Sequence, residues 1–485
     1  MANSIEFLMG YERRSISDID PTTTLLQYLR EVERRTGTKE GCAEGDCGAC
    51  TVVLGTLHKG AIRYRQVNSC ILFLPQICGN QVITVEHLCD ANGRLHPVQQ
   101  ALVECHGSQC GFCTPGIVMS LFALYKSNPA PTRQQILDAL AGNLCRCTGY
   151  RPIVEAAERM HALGRTDHFA ANEPATIRAL EALQGQELAL DLGRKKYFAP
   201  RTAAALAKLR MRHPDAHLVA GATDVALWVT KQHRDLDTVI QIGQIEELQH
   251  LEARPDRLEI GAAVTYSDAI EAIGGRYADF GELIRRLGSV QIRNSGTIGG
   301  NIANGSPIGD SMPALIALGA TIVLRRGQKR RVLPLEEFYL DYRRTALGPG
   351  EFLEKIHLPL RTEGEFRVYK IAKRFDQDIS GLLGAFWARL EGGRVQDVRI
   401  AYGGMAPIPK RAASCEQALR GRPWTESTLA LGRRALEQDF APISDMRASA
   451  SYRMLTAQNL LTKFHLETSA PEVATRVLAF EPSHG

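Results

Sequence analysis

The sequence lacks any apolar run long enough to cross a bilayer. Its longest, Gly116 to Tyr125 and Ala314 to Leu324, stop well short of the roughly 18 to 20 residues a spanning helix needs, so no membrane role is expected. Charge of one sign is missing too. The 58 Lys and Arg residues against 53 Asp and Glu leave +5 over 485 residues, with no basic stripe of the kind nucleic acid would require. Neither G-x-G-x-x-G nor a Walker A sequence occurs, which removes the Rossmann fingerprint and the P-loop. No leader is recognisable: Met1 to Gly10 is interrupted by Glu6, and Arg13 and Arg14 are followed by Ser15, Ser17, Asp18 and Asp20 rather than an apolar stretch. A cytoplasmic location is expected. Cysteine is almost absent from the last two thirds of the chain, where only Cys415 follows Cys147, yet there are 12 in all. In a reducing compartment such crowding points to metal or redox ligands rather than to structural disulfides. With 44% hydrophobic and 23% charged residues the composition is that of a folded globular protein, and the length predicts about three domains.

Hydrophobic periodicity divides the chain further. A strand over Ser4 to Met9, a helix from Thr24 to near Gly37, and strands over Thr51 to Leu54 and Gln81 to Val85 predict a small α+β unit over 1–88. From 89 to 163 the texture is all-helical with clear starts: Pro115 and Pro152 suit first helical positions, and Thr132 with Gln135 makes a capping box. No strong strand pattern follows, and a linker is expected over 164–192. Strands at Leu218 to Ala220, Thr238 to Ile240, Leu258 to Ile260 and Thr321 to Leu324, alternating with helices at Ala203 to Arg210 and Tyr266 to Ile273, predict an α/β domain over 193–365. A smaller α+β lobe is expected over 366–485, from strands near Gly381 to Leu390 and Val398 to Tyr402 and an amphipathic helix around Leu429 to Leu436. The fold class is multidomain α+β.

Cys42, Cys47 and Cys50, with Cys70 further on, have the four-then-two spacing of a plant-type [2Fe-2S] site. Gly41, Gly45 and Gly48 let a loop fold tightly there, and small Ala43 and Ala49 let amides approach the sulfurs. The alternative is zinc, which more often takes two short knuckles. Cys110 and Cys113, then Cys145 and Cys147, form a second set of four beside glycine-bearing helix ends; on spacing alone zinc and iron–sulfur are both open. Cys78, Cys89, Cys105 and Cys415 have no such partners and are expected to be ordinary small buried residues.

Two later segments read as ligand cradles or as ordinary tight turns. Leu218-Val219-Ala220-Gly221-Ala222-Thr223-Asp224-Val225 puts a small-residue turn after an apolar strand, where amides could meet a pyrophosphate. Thr297-Ile298-Gly299-Gly300-Asn301 adds a glycine turn with polar side chains, followed by Asn304 and Asp310.

The stretches Gly41 to Cys50, Gln109 to Gly116 and Gly142 to Tyr150 resemble the two iron–sulfur domains of the molybdenum hydroxylases, the xanthine dehydrogenase family, and the two cradles resemble that family's FAD loops in the same order. The resemblance implies a ferredoxin-like β-grasp domain, an all-α [2Fe-2S] domain, an α/β FAD-binding domain of the PCMH type and a C-terminal α+β lobe. It makes Cys42, Cys47, Cys50 and Cys70 ligands of one cluster and Cys110, Cys113, Cys145 and Cys147 ligands of the other. FAD would lie along Leu218 to Val225 and Thr297 to Asn301, with Leu287, Asp310, Leu353 and Lys370 making further contacts. Leu287 stands where animal members carry an aromatic residue. Lys373 to Ile379 matches the family loop that helps to decide access by NAD; its plain reading is a solvated charged turn.

What the resemblance implies for function is electron transfer from a molybdenum–pterin centre through two [2Fe-2S] clusters to FAD and on to NAD, with hypoxanthine or xanthine oxidised to urate. The molybdopterin centre is expected on a partner, a large subunit, in a dimer of heterodimers. No acid or base on this chain is assigned a catalytic role. The alternatives are a small subunit serving another molybdenum hydroxylase, for an aldehyde or an N-heterocycle, a ferredoxin-type carrier that is no enzyme, and a zinc-stabilised interaction module.

Overall fold

Five short strands with buried faces build the first sheet, in the order Glu12–Ile16, Ile5–Met9, Gln81–Ile83, Thr51–His58, Ala61–Asn68. Only the Ile5–Met9 and Gln81–Ile83 pair is parallel; such a pair needs a long crossover, and that crossover carries the first helix and the first cysteine loop. Thr24 starts the helix with a reciprocal cap, its hydroxyl accepting from the Gln27 amide while the Gln27 side chain accepts from the Thr24 amide. Phe7, Leu25, Leu29, Val52 and Val82 are fully buried in one core, each contributing about 1.5–3 kcal/mol of apolar burial. This is the β-grasp arrangement.

The computed structural model describes residues 2–360 and 363–476 and divides into two compact units. The first runs to Gln249 and takes in Thr265–Asp268 and Gly288–Thr297; the second comprises His250–Val264, Ala269–Leu287 and the residues from Ile298 on. After the first sheet, the first unit continues with helices Pro97–Glu104, Thr114–Ser127, Arg133–Leu140 and Arg151–Arg159. Thr114–Ser127 is buried all round from Gly116 to Tyr125, so it is the central helix of its domain. Pro115 and Pro152 open their helices, and the Thr132 and Gln135 box closes as expected.

Residues 164–192, expected as a linker, hold a 14-residue helix instead, His168–Glu181. Asp167 caps it by accepting from the Ala170 amide at 2.8 Å, and Phe169 and Leu180 anchor one side in the core. Pro174 lies inside this helix; a proline reads as a break because it removes one internal hydrogen bond, yet burial of the anchored side outweighs that loss. A hairpin follows, Leu188–Leu192 with Lys195–Ala199, where strands were not expected. Its two-residue Gly193-Arg194 turn, with Gly193 at φ +74°, was the available signal. These two strands continue into a four-stranded sheet with Thr238–Gln241 and His217–Val219, the last three strands parallel.

Among the described residues the second unit has two larger antiparallel sheets beside a short antiparallel pair, Tyr339–Asp341 with Arg344–Thr345. One orders Leu251–Ala253, Arg257–Gly261, Phe352–Pro359, Thr321–Arg326 and Lys329–Pro334. The other orders Glu365–Ile371, Leu382–Glu391, Arg394–Gly403 and Lys410–Arg411, with Glu426–Asp439 and the 20-residue Ala450–Ser469 among its helices. No helix among the described residues is long and apolar enough to cross a membrane.

Candidate functional site

Ala43, Gly45 and Gly48 take left-handed backbone angles, φ +54°, +86° and +70°, and these wind residues 41–50 into a loop whose amides turn inward. The Glu44 and Cys47 amides donate to Cys42 Sγ from 3.5 and 3.4 Å. Cys50 and Cys70 are buried, Cys42 and Cys47 half-buried. Thiol contacts run from Cys47 to Cys42 to Cys70 to Cys50, so the four residues of the first set come together. Hydrogen bonds from the Cys47 and Cys70 thiols, with amides behind them, hold the Cys42 thiol well below the ordinary thiol range. Donors aimed at sulfur favour the thiolate that a metal binds.

The second set closes differently. Cys113 is the N-cap of Thr114–Ser127, and Cys145 and Cys147 lie in the loop before Arg151–Arg159. Cys110 meets Cys147 and Cys113 meets Cys145. Burial pushes the Cys145 thiol up, but the Thr148 hydroxyl, 3.2 Å away, and the Thr148 amide bring it below its usual value. Tyr150, at φ +67°, lets its hydroxyl accept from the Cys145 amide at 2.8 Å. Cys110 and Cys147 are exposed.

Among the described residues no three His, Cys, Asp or Glu side chains surround one point that a single ion would fill. A file of thiols, or two pairs, fits a centre with two thiolates on each of two irons better than a tetrahedral zinc site, where four donors meet one ion. The remaining cysteines serve other ends: Cys105 accepts from Arg159 at 3.3 Å, Cys89 donates to Gln99, and Cys78 and Cys415 are buried.

The two loops are joined directly. The Leu144 amide donates to the Cys47 carbonyl at 3.0 Å, and Asn143 Nδ2 donates to the Gly48 carbonyl at 3.1 Å. Lys231 donates to the Cys42 carbonyl and faces Glu44 at 3.6 Å. Asn143 and Lys231 were not singled out from sequence; Asn143 lies inside the Gly142 to Tyr150 motif, whereas nothing local marks Lys231.

In the same unit Leu218 to Val225 forms a strand end and a turn. The Ala220 carbonyl is held inward by Gln76 and Gln241, while the Gly221, Ala222 and Thr223 amides find no acceptor among the described residues. Ala222 sits at φ +61°, and a Cβ on Gly221 would lie 1.7 Å from the Ser295 carbonyl oxygen. A glycine-dependent turn with three amides to spare fits a phosphate-bearing ligand. Thr297 is buried at the end of this unit's last segment.

In the second unit Ile298–Asn304 is a short helix, with Gly299 against Ala262 and Asn301 Oδ1 accepting from Ser311 at 2.9 Å. Asp310, Lys370 and Ser380 form a closed buried triad: Lys370 Nζ donates to Asp310 and to Ser380 Oγ at 2.9 Å, and Ser380 donates to Asp310 at 2.6 Å. Ser380, unmarked in the sequence, follows Lys373 to Ile379 directly. Leu353 is buried opposite Leu324 in the antiparallel sheet, and half-buried Leu287 follows Ala278–Arg285. The Arg286 guanidinium lies 4.2 Å over the Phe375 ring and donates to the Phe375 carbonyl at 3.1 Å, pinning the Lys373 to Ile379 turn.

Four family models match in succession: a 2Fe-2S iron-sulfur cluster binding domain over 11–74, a [2Fe-2S] binding domain over 84–158, an FAD binding domain in molybdopterin dehydrogenase over 191–361 and a CO dehydrogenase flavoprotein C-terminal domain over 367–468. The chain belongs to the molybdenum hydroxylase family. Xanthine dehydrogenase of Emericella nidulans is 33% identical, with 96% of this chain and 38% of that protein covered. Aldehyde oxidase 1 of Macaca fascicularis is 30% identical, with 96% and 40% covered. This molybdenum hydroxylase chain thus spans about two fifths of the length of the curated relatives it matches. Among solved structures, the carbon monoxide dehydrogenase from Hydrogenophaga pseudoflava is 28% identical with a TM-score of 0.53, over 56% of this chain and 95% of that one. Its two 2Fe-2S domains and FAD-binding domain make this family member an electron-transfer protein.

Proposed function

We propose that this molybdenum hydroxylase chain is the electron-transfer part of a xanthine dehydrogenase, working with a molybdopterin-binding subunit that oxidises hypoxanthine or xanthine and delivering the electrons to NAD. Cys42, Cys47, Cys50 and Cys70 hold one [2Fe-2S] cluster, and Cys110, Cys113, Cys145 and Cys147 the other. Leu218 to Val225 and Thr297 to Asn301 serve FAD, aided by Leu287, Asp310, Leu353 and Lys370. When bound, the clusters supply one-electron transfer and the flavin exchanges it for two-electron chemistry.

A gradient of exposure carries the reading. Cys110 and Cys147 are exposed, Cys113, Cys145, Cys42 and Cys47 half-buried, and Cys50 and Cys70 buried. The helical domain therefore offers its thiols to a partner, while the Leu144 to Cys47 hydrogen bond leads inward. Arg286 holds the Phe375 turn, and Phe375, 40% exposed, presents an aromatic edge suited to a nicotinamide dinucleotide.

The match to an aldehyde oxidase over 96% of the chain favours a second reading, in which the partner's substrate is an aldehyde. The full chain, reconstituted with iron, sulfide and FAD, should oxidise NADH with ferricyanide as acceptor and leave xanthine and aldehydes untouched. Adding the molybdopterin subunit should restore turnover of xanthine in preference to benzaldehyde. Xanthine turnover by the pure chain, or no NADH oxidation by a flavin-loaded one, would refute the assignment; preference for benzaldehyde would shift it to the second reading.

A further inference from the structure

Between the two cysteine loops lies a buried polar node. Gln291 is 1% exposed, Asn143 2%, Thr51 1% and Ser120 fully buried. Gln291 Nε2 lies 3.2 Å from Thr51 Oγ1, 3.3 Å from Ser120 Oγ and 3.1 Å from Asn143 Oδ1. The hydroxyl protons are committed elsewhere: Thr51 donates to the Gly48 carbonyl at 2.7 Å and Ser120 to Asn143 Oδ1 at 2.6 Å. Three oxygens therefore turn lone pairs toward one point, and only a donor can occupy it. This also fixes the orientation of the Gln291 amide, since a flipped carbonyl would face three acceptors. Its Oε1 faces Gly142, where an added Cβ would come within 2.1 Å of that oxygen.

Two of this amide's three partners, Thr51 and Asn143, lie within two residues of a cysteine, and the third, Ser120, donates to Asn143. Thr51 follows Cys50, the Gly48 carbonyl follows Cys47, and Asn143 precedes Leu144, whose amide bonds to the Cys47 carbonyl before the chain reaches Cys145. Gln291 itself comes from Val290–Ser295, a short helix capped by Ser289 and held from its other side by Asn294, which donates to the Gln66 carbonyl at 2.9 Å. Resting on the reading that the eight cysteines hold clusters, we propose that Gln291 is a positioning residue that sets the separation and mutual orientation of the two iron–sulfur sites. A buried amide that donates to three oxygens at once rigidifies its surroundings, whereas an apolar replacement removes that shared donor and leaves Ser120 Oγ, Thr51 Oγ1 and Asn143 Oδ1 tied together only by their bonds to one another.

The test uses the full chain loaded with iron, sulfide and FAD. Gln291→Met keeps the side-chain length and removes the donor, and Ser120→Ala, which deletes one hydroxyl of the node, provides a second variant. Low-temperature EPR of the fully reduced protein reads the magnetic splitting between the two clusters, and redox titration reads their potentials. Wild-type protein should show resolved splitting; Gln291→Met should bind the same iron, lose or alter that splitting, and shift at least one potential. Ser120→Ala should change both in the same direction by less. Full iron content with unchanged splitting and potentials in both variants would overturn the proposal while leaving the cluster assignment intact. Wild-type protein that takes up no iron would instead overturn the assignment itself.

Discussion

Gly116→Ala should loosen the first unit by an amount that the contacts allow to be worked out. Gly116 is the third residue of Thr114–Ser127, and a methyl there would lie 2.2 Å from the Gly48 carbonyl oxygen. Carbon and oxygen in contact sit at about 3.3 Å or more, so roughly 1 Å must open between the helix and the first cysteine loop. The Gly48 carbonyl cannot yield freely, because it accepts from the Thr51 amide at 3.1 Å, the Thr51 hydroxyl at 2.7 Å and Asn143 at 3.1 Å. Overpacking costs about 1–3 kcal/mol, one or two weakened buried hydrogen bonds about 1 kcal/mol each, and the better helix propensity of alanine returns about 1 kcal/mol. The net loss is about 1–4 kcal/mol, equivalent to a roughly 5- to 700-fold change in an opening equilibrium. Amide hydrogen exchange in peptides spanning Thr114–Ser127 should accelerate by that factor, with Ala450–Ser469 as an internal reference. Exchange within about threefold of wild type would refute the close-approach argument.

Three further outcomes are expected. Burial would raise the Asp268 pKa, but the Arg65 guanidinium, the Thr265 hydroxyl and Arg63 bring it down to about 2; the stabilisation is complete above the usual carboxylate value and is lost as pH falls through about 2. Asp268→Asn should therefore cost about 2 kcal/mol in urea unfolding at neutral pH, with the gap to wild type closing below pH ~4 and no such closing if the pairing is idle. Lys231→Met removes a positive charge beside the Cys42 carbonyl, so the potential of that site should fall, by less at high ionic strength; a rise would contradict the electrostatics. Asp310→Asn leaves Lys370 buried without its anion, at about 3–5 kcal/mol, and should weaken FAD retention. Adding Lys370→Met to it should recover part of the stability, and a double variant no better than the single would count against the pairing.

Local features of the fold were legible and long-range ones were not. Seven of the eight cysteines fall in short motifs whose spacing is itself the geometric constraint, and the Thr132 and Gln135 cap joins residues three apart. Ala61–Asn68 escaped notice because its buried positions gather at one end instead of alternating evenly. His168–Glu181 was hidden by Pro174, since propensity sees the lost hydrogen bond but not the core that takes Phe169 and Leu180. Alternating strands and helices over 193–365 predicted one α/β domain, whereas strand direction differs between its parallel and antiparallel sheets, and that depends on pairing partners far apart in the chain. Gln291 is the sharpest case: its partners lie 148 to 240 residues away, beyond anything a window of sequence contains.

That distance also has a meaning in time. With ribosomes adding about 5–20 residues per second, Gln291 is made roughly 10–50 s after Thr51. For the last roughly 7–28 s of that interval, once residue 150 is made, both cysteine loops can exist while the helix that wedges between them has yet to be synthesised. Their thiols stay reachable to whatever delivers iron and sulfide, and the arrival of Val290–Ser295 closes the door behind it.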